Sequence, residues 1–397
     1  MRDSPCHEAR KPLGDTTGRQ GLARGARRRE RQRRGLKTRT LYNLRTQLET
    51  MPRVIDSPEE FTIVGENIHA TRVLLRNGRR AKTLDDGTEV VPFRGPGGEQ
   101  RLLTVPEWYK STQPYQQNQI KHFLIAMRKG IEDDADEREE GKAYIQYEVR
   151  RQVRAGAKYL DINPDEVHYD LDTQKACMRF AVEAVQEVSP IPPSIDSSNS
   201  EIIQAGLEAY DGSAGRPMIN SVAAERLEAL DMVVEHNARM VLMCTGPDGM
   251  PQDDGERIEN LNYIMEHVQS KGIPMDDIFV DGIIFPISVD PQYGNHYFDA
   301  VRAIREKYGN EIHIGMGLSN VSFGMPERRL LNDTFIYLSI EAGIDAGILD
   351  PIATKLERVF ALDTESEPVK LALDALEGRD DFCMNYIMAY RDGRLKT

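Results

Sequence analysis

The feature that most constrains this chain is a repeat. From residue 60 onward, short apolar, β-branched runs recur, each ending in a polar residue and followed by a stretch with helical periodicity. That alternation is the signature of βα units, in which a parallel sheet is buried beneath helices. Eight units can be counted. Their strands are expected at FTIVGE (61–66), KYLDIN (158–163), IPPSIDS (191–197), PMINS (217–221), MVLMC (240–244), DIFVDGII (277–284), HIGMGLSN (313–320) and GIDAGILDP (343–351). Between them lie helical segments such as TQKACMRFAVEAVQEV (173–188) and GERIENLNYIMEHVQSKG (255–272), the second stopped by Gly272. Eight βα units in one run predict a (β/α)8 TIM barrel over residues 56–397.

Three stretches depart from the repeat. After the first strand an insertion of about 70 residues, near 70–140, is far longer than an ordinary βα loop and is expected to carry structure of its own. It contains a turn-rich stretch (84–100), Trp108, an expected helix at 117–130 and the acidic run IEDDADEREE (131–140), which reads as a solvated helix face. A helical segment near 352–397 is expected to wrap the barrel base or a subunit interface. Residues 1–55 read as a disordered basic extension, with 14 Lys/Arg against 5 Asp/Glu in residues 1–50 of a chain whose net charge is −13. They are expected to be dispensable, with Met51 as the working start, the alternative being a nucleic-acid or targeting arm.

The charge balance excludes some functions. The body beyond residue 50 is more acidic than the whole and repels phosphates, so nucleic acid is not expected as its partner. No apolar run is long enough to span a bilayer. Cys6, Cys177, Cys244 and Cys383 lie far apart, without zinc or disulfide spacing, which fits a cytoplasmic protein.

In a (β/α)8 barrel the reacting groups come from the C-terminal strand ends. Here those ends carry Glu66 and Asn67, Asp161 and Asn163, Asp196, Asn220, Cys244 with Thr245, Asp281, Asn320 and Asp350. Any one Asp or Asn could simply cap the following helix. Together they form a ring of carboxylates and amides suited to a flat heterocycle with fixed donors and acceptors. The ring offers no lysine for a Schiff base, no Ser/His/Asp set and no His spacing suited to a metal, and the chain has no GxGxxG after a strand and no GxxxxGK[ST]. His69, His168 and His313 read as structural.

Several segments carry a family resemblance: GENIH (65–69), AGAKYLDIN (155–163), IDSSN (195–199), MINS (218–221) with AAER (223–226), GIPMDDIFVD (272–281) and above all GLSNVSFGMPERRLLNDTF (317–335). Over roughly residues 60–360 the chain resembles the pterin-binding methyltransferases. These are the methyltetrahydrofolate:corrinoid methyltransferases and the folate domain of cobalamin-dependent methionine synthase, distant relatives of dihydropteroate synthase. The resemblance implies that Asp196, Asn220 and Asp281 hydrogen-bond the pterin ring, with Asp161 and Asn163 lining the pocket. It puts Asn320 beside the pterin N5 and gives Gly317 close backbone approach; Glu66 and Asn67 complete the expected substrate-binding set at the first strand end. It also implies methyl transfer between methyltetrahydrofolate or tetrahydrofolate and a cobalt corrinoid, with Asn320 backed by Asp281 as the catalytic pair. The DxHxxG motif of cobalamin modules is absent, so the corrinoid is expected on a partner protein, and a homodimer is expected from the relatives.

The chain departs from the family at Asn163-Pro164-Asp165, at Asp281-Gly282, at Phe323 and in the insertion. A dihydropteroate synthase would need a basic, Ser/Thr-rich loop after the second strand, where DINPDEVHYD (161–170) is acidic. Two further readings stay open: a non-catalytic pterin-binding or carrier subunit, and a corrinoid-free tetrahydrofolate-dependent demethylase in which the insertion forms a lid.

Overall fold

The computed structural model describes residues 53–247 and 249–396. The reading of residues 1–50 therefore lies outside the described residues. All eight expected strands form: β1 (Thr62–His69), β2 (Tyr159–Asn163), β3 (Pro193–Asp196), β4 (Met218–Val222), β5 (Arg239–Met243), β6 (Ile278–Asp281), β7 (His313–Gly315) and β8 (Ala346–Leu349). They pair in parallel in the order β7-β6-β5-β4-β3-β2-β1-β8. Seven helices cover the outside: α1 (Ala135–Arg154), α2 (Leu171–Gln186), α3 (Ser200–Ala209), α4 (Ala229–Glu235), α5 (Asp254–Ser270), α6 (Tyr293–Tyr308) and α7 (Arg328–Ala342).

The seam between β7 and β8 is closed by a short clasp, completing the (β/α)8 barrel. The Asp345 amide donates to the Ile314 carbonyl (3.2 Å), and the Ile314 amide donates to Asp345 Oδ1 (2.9 Å). Asp345 is held in turn by Arg305 and His313, each at 2.7 Å. Gly315 is required at this crossing, because a Cβ there would fall 1.8 Å from the Ala346 carbonyl oxygen.

Strand periodicity decides what faces inward. Val64, Tyr159, Met218, Val241, Phe279, Met316 and Ala346 form an apolar cluster within the barrel. Two residues further along their strands stand Glu66, Asp161, Asn220 and Asp281. An apolar floor beneath a polar mouth is thus written into the alternation of β1, β2, β4 and β6.

The insertion folds as its own small structure. Glu89–Arg94 and Gln100–Thr104 form an antiparallel hairpin with Lys82–Thr83 at its edge. The helix expected at 117–130 is shorter, His122–Lys129, because Gln119–Lys121 is used as a strand against Val73–Leu75. The acidic run is only partly a solvated face. Asp134 caps α1 by accepting from the Asp136 amide (2.8 Å), and Glu137 and Glu140 both hold the buried Lys129 at 2.9 Å. An ammonium taken out of water needs such partners, which corrects the reading of a merely solvent-facing stretch.

The C-terminal segment also departs from expectation. Leu356–Phe360, Glu367–Leu376 and Met384–Arg391 are helical, but they pack along α7 and the start of α6 rather than under the barrel. Arg358 grips Asp333 of α7 (2.6 and 3.0 Å), Asn295 donates to the Glu377 carbonyl (2.8 Å), and the Tyr386 hydroxyl donates to the Glu327 carbonyl (3.3 Å). Strand β8 releases the chain at the mouth end. The Arg358–Asp333 pair ties it to α7, while Thr354 and Leu356 line a cleft with Phe61, Arg154 and Lys158.

Candidate functional site

The strand-end ring is not a set of helix caps. The caps of α1, α2, α3 and α5 are Asp134, Asp170, Asn199 and Asp253, each accepting from a backbone amide of its first turn. None belongs to the ring. Asp350, which accepts from the Ile352 and Ala353 amides, comes nearest to a cap, and the other carboxylates of the ring cap no helix.

The wall made by β2, β3 and β4 is interlocked. Asp161 pairs in register with Ser194, and Asp196 with Asn220. Asp161 Oδ1 accepts from Ser194 Oγ (2.7 Å) and Asn220 Nδ2 (3.2 Å), while Asp196 Oδ2 accepts from Asn163 Nδ2 (2.8 Å). Burial raises the pKa of Asp161 above the usual carboxyl range. Burial, and then the neighbouring Asp161 charge, push Asp196 well above it. Two buried carboxyls whose charges act on each other cannot both ionise cheaply, so burial and coupling favour the protonated form of this wall.

Asp165, not singled out from the sequence, ties this wall together from the mouth. It accepts from Ser197 Oγ, from the Ser198 amide (2.9 Å) and from Ser198 Oγ (2.8 Å). It thereby fixes the loop that follows Asp196. Its signal was the Asn163-Pro164-Asp165 departure itself. Ser194 was also missed, although it lies two residues before Asp196 and so on the same strand face. His69, read as structural, puts Nε2 3.9 Å from Asp196 Oδ2. The Thr71 amide donates to its Nδ1 (3.2 Å), and burial and then Arg72 hold its pKa down to about 4. The ring is therefore neutral, with its hydrogen on Nε2, facing the carboxyl.

The opposite side is looser. Asp281 accepts from the Ile283 amide (2.8 Å), and burial pushes its pKa up to about 6. Asn320 stands exposed in the 3-10 turn Leu318–Ser322. A Cβ on Gly317 would lie 3.5 Å from Asn320 Nδ2 and 3.9 Å from Asp281 Oδ2, so amide and carboxyl converge over a residue with no side chain. Ile283 (φ 55°) and Met316 (φ 75°) occupy the left-handed region beside them. Such conformations cost of order 1–3 kcal/mol for a side-chain-bearing residue and persist where the surroundings enforce them.

Glu66 and Asn67 do different things. Glu66 forms an ion pair with Arg72 (2.6 Å) at the inner rim, and its pKa is raised by burial against the opposing Arg72 charge. The Asn67 amide instead donates to Glu148 and Asp350, both at 2.9 Å, and spends its two hydrogens on the scaffold. Among the described residues no group of three or more His, Cys, Asp or Glu could hold a metal ion, and no helix is long and apolar enough to cross a membrane.

A pocket with carboxyls on two sides, amides between them and an apolar floor suits a flat ring bearing a guanidine-like edge. Its constellation falls within residues 135–350, which match the family model described as pterin binding enzyme. The chain belongs to the pterin-binding enzyme family. It is 27% identical over 263 residues to a methylcorrinoid:tetrahydrofolate methyltransferase of Eubacterium limosum, spanning 65% of this chain and 90% of that protein. It is also 27% identical over 249 residues to a methionine synthase of Mycobacterium tuberculosis, spanning 59% of this chain but only 20% of that larger protein. Among solved structures, dihydropteroate synthase of Stenotrophomonas maltophilia aligns at 19% identity over 56% of this chain and 86% of that one, with a TM-score of 0.45. The expectation of an enzyme of the methyltransferase kind agrees with the first two of these proteins.

Proposed function

We propose that the chain moves a methyl group between N5 of a reduced folate and a corrinoid carried by a partner protein. The observation that carries this reading is the convergence of Asn320 and Asp281 over the bare backbone of Gly317, facing the hydrogen-bonded wall of Asp161, Asn163, Asp196 and Asn220. In this reading the wall grips the pterin edge, and Asn220 and Asp281 complete the ring of contacts. The partner's corrinoid supplies the cobalt that takes or gives the methyl group. Removing a methyl from a tertiary amine requires N5 to leave with a proton or a strong hydrogen bond. In this reading the Asn320 amide donates that bond, and Asp281, whose burial pushes its pKa up to about 6, holds the proton near it. Neither group needs to be a strong acid, because a donor already in position spends nothing on reorganisation.

The test is calorimetric titration of the full chain with methyltetrahydrofolate, followed by addition of cob(I)alamin while its absorbance is watched. Binding followed by loss of the cob(I) spectrum is expected. Binding without transfer would sink the corrinoid step and leave a corrinoid-free demethylase or a carrier subunit. Absence of binding would remove the folate reading. A homodimer and a cytoplasmic setting belong to the same proposal, the first read by sedimentation of the purified chain.

A further inference from the structure

The insertion brings to the mouth a chemistry that methyl transfer does not use. A cavity of about 180 Å³ lies between β1, the insertion and α1, lined among others by Asn67, Arg72, Arg80, His122, Glu148 and Arg151. It shares Arg72 and Asp350 with an adjoining cleft of about 310 Å³ that reaches Glu66. Glu66 in turn is close enough to Asp161 for their charges to interact. A run of neighbouring groups therefore leads from the pterin wall to the cavity.

The balance of donors and acceptors in this cavity is uneven. Its carboxylates are already satisfied: Glu148 accepts from Asn67 (2.9 Å) and Arg151 (2.6 Å), and Asp350 accepts from Asn67 and from the amides of Ile352 (2.9 Å) and Ala353 (3.3 Å). The donors are not used up. Arg80 donates to the Tyr144 hydroxyl (3.2 Å), and of that buried hydroxyl's two partners only His122 Nδ1 (2.9 Å) can accept its own proton. The His122 hydrogen must then sit on Nε2, in a side chain only 4% exposed that lines the cavity. Burial, and then the charges of Arg80, Arg72 and Arg151, hold the His122 pKa well below its usual value, so the ring stays a neutral donor. Arg80 is exposed at the edge, with a hydroxyl as its hydrogen-bond partner in place of a carboxylate.

We propose that this cavity binds a carboxylate group, received by the Arg80 guanidinium and the His122 Nε2–H. A guanidinium presents two parallel N–H groups to a carboxylate, and a buried neutral donor beside it adds selectivity over bulk anions. Two sources share that chemistry: the glutamyl tail of the folate itself, which rests on the folate reading above, and a separate small organic acid serving as methyl donor or acceptor.

The experiment titrates the full chain with a tail-free methyltetrahydropterin, with mono- and triglutamyl methyltetrahydrofolate, and with glutarate. It does so for the wild type and for Arg80→Ala, Arg80→Lys and Arg101→Ala, the last removing an insertion arginine that pairs with Glu139. If the tail is the occupant, glutamylated ligands bind at least tenfold more tightly than the tail-free pterin. Arg80→Ala abolishes that gain, Arg80→Lys restores part of it, and Arg101→Ala leaves it intact. If a separate acid is the occupant, the tail adds nothing, while glutarate binds to the wild type and is lost in Arg80→Ala. Equal binding of tailed and tail-free ligands together with no glutarate binding overturns the proposal. Failure of the tail-free pterin to bind counts against the folate reading alone, since the glutarate arm still decides the cavity.

Discussion

The two sides of the barrel mouth are built on opposite principles. On the β2–β4 side every polar group has a partner: Asp161 with Ser194 and Asn220, Asp196 with Asn163, and Asp165 spanning Ser197 and Ser198. On the β6–β7 side Asp281 holds a single backbone amide, Asn320 is exposed, and the strand ends run through left-handed backbone at Ile283 and Met316. A fully bonded wall resists displacement and suits recognition. A sparsely bonded amide on a short turn can change position between ground state and transition state. In the proposed function the contrast separates folate binding from catalysis across the barrel mouth.

The largest effect that would break this division is expected at Asn320. Replacing it with alanine should lower kcat by roughly 100-fold or more with little change in folate affinity, as for an interaction made mainly in the transition state. Equal losses in both would place Asn320 with the wall instead.

The pH profile sharpens the same point. If protonated Asp281 assists departure of N5, methyl removal should be fastest below pH 6 and fall up to about tenfold per pH unit above it. Asp281→Asn should flatten that limb. A wild-type profile already flat from pH 5 to 8 would remove Asp281 from the proton path.

On the other side, Asp196→Asn should weaken folate binding by about 1.5 to 3 kcal/mol, the range for hydrogen bonds to charged groups, while kcat at saturation changes little. Burial and the Asp161 charge raise the Asp196 carboxyl, so if it gives up a proton to accept from the ligand, the calorimetric heat should depend on the buffer's ionisation enthalpy. Unchanged affinity would take Asp196 out of the pocket. The smallest effect is expected for Gly317→Ala. Its methyl group would fit at ordinary contact distance but crowd the Asn320 amide, so kcat should fall only a few-fold and binding should hold.

A stability measurement offers an independent check. Asp161, Asp196 and Asp281 all have folded-state pKa values above the ordinary carboxyl value. Their contribution is therefore complete below about pH 4 and is lost as pH rises from the ordinary carboxyl value through their folded values, for Asp281 between about 4 and about 6. Asp281→Asn should accordingly narrow the fall in Tm between pH 5 and pH 8 by about one to a few degrees. A Tm unaffected by pH in both proteins would contradict the burial of these groups.

The barrel was legible because each strand announces itself locally, by an apolar run with a polar terminus, and all eight appear where that pattern puts them. The candidate wall was legible for a related reason: residues two apart, such as Asp161 and Asn163, must share a face. What escaped depends on contacts between distant segments. Nothing local says that Asp165 will fasten the next loop, that Asn67 will spend its amide on Glu148 and Asp350 while its neighbour Glu66 faces the rim, or that Glu137 and Glu140 will be drawn onto a buried Lys129. The path of residues 352–396 likewise depends on contacts with distant segments, among them Arg358 with Asp333 and Asn295 with the Glu377 carbonyl.

The clasp at Asp345 has a mechanical consequence. Seven of the eight strand junctions are ladders, whereas the eighth depends on one aspartate gripped by an arginine and a histidine. A ring with one weak link breathes there first, and the turn bearing Asn320 hangs directly from that link. Amide exchange at Ile314 and Asp345 should therefore outpace that of the other barrel strands, and Asp345→Asn should speed it further, so that the freedom of the Asn320 turn is set by the joint that closes the barrel.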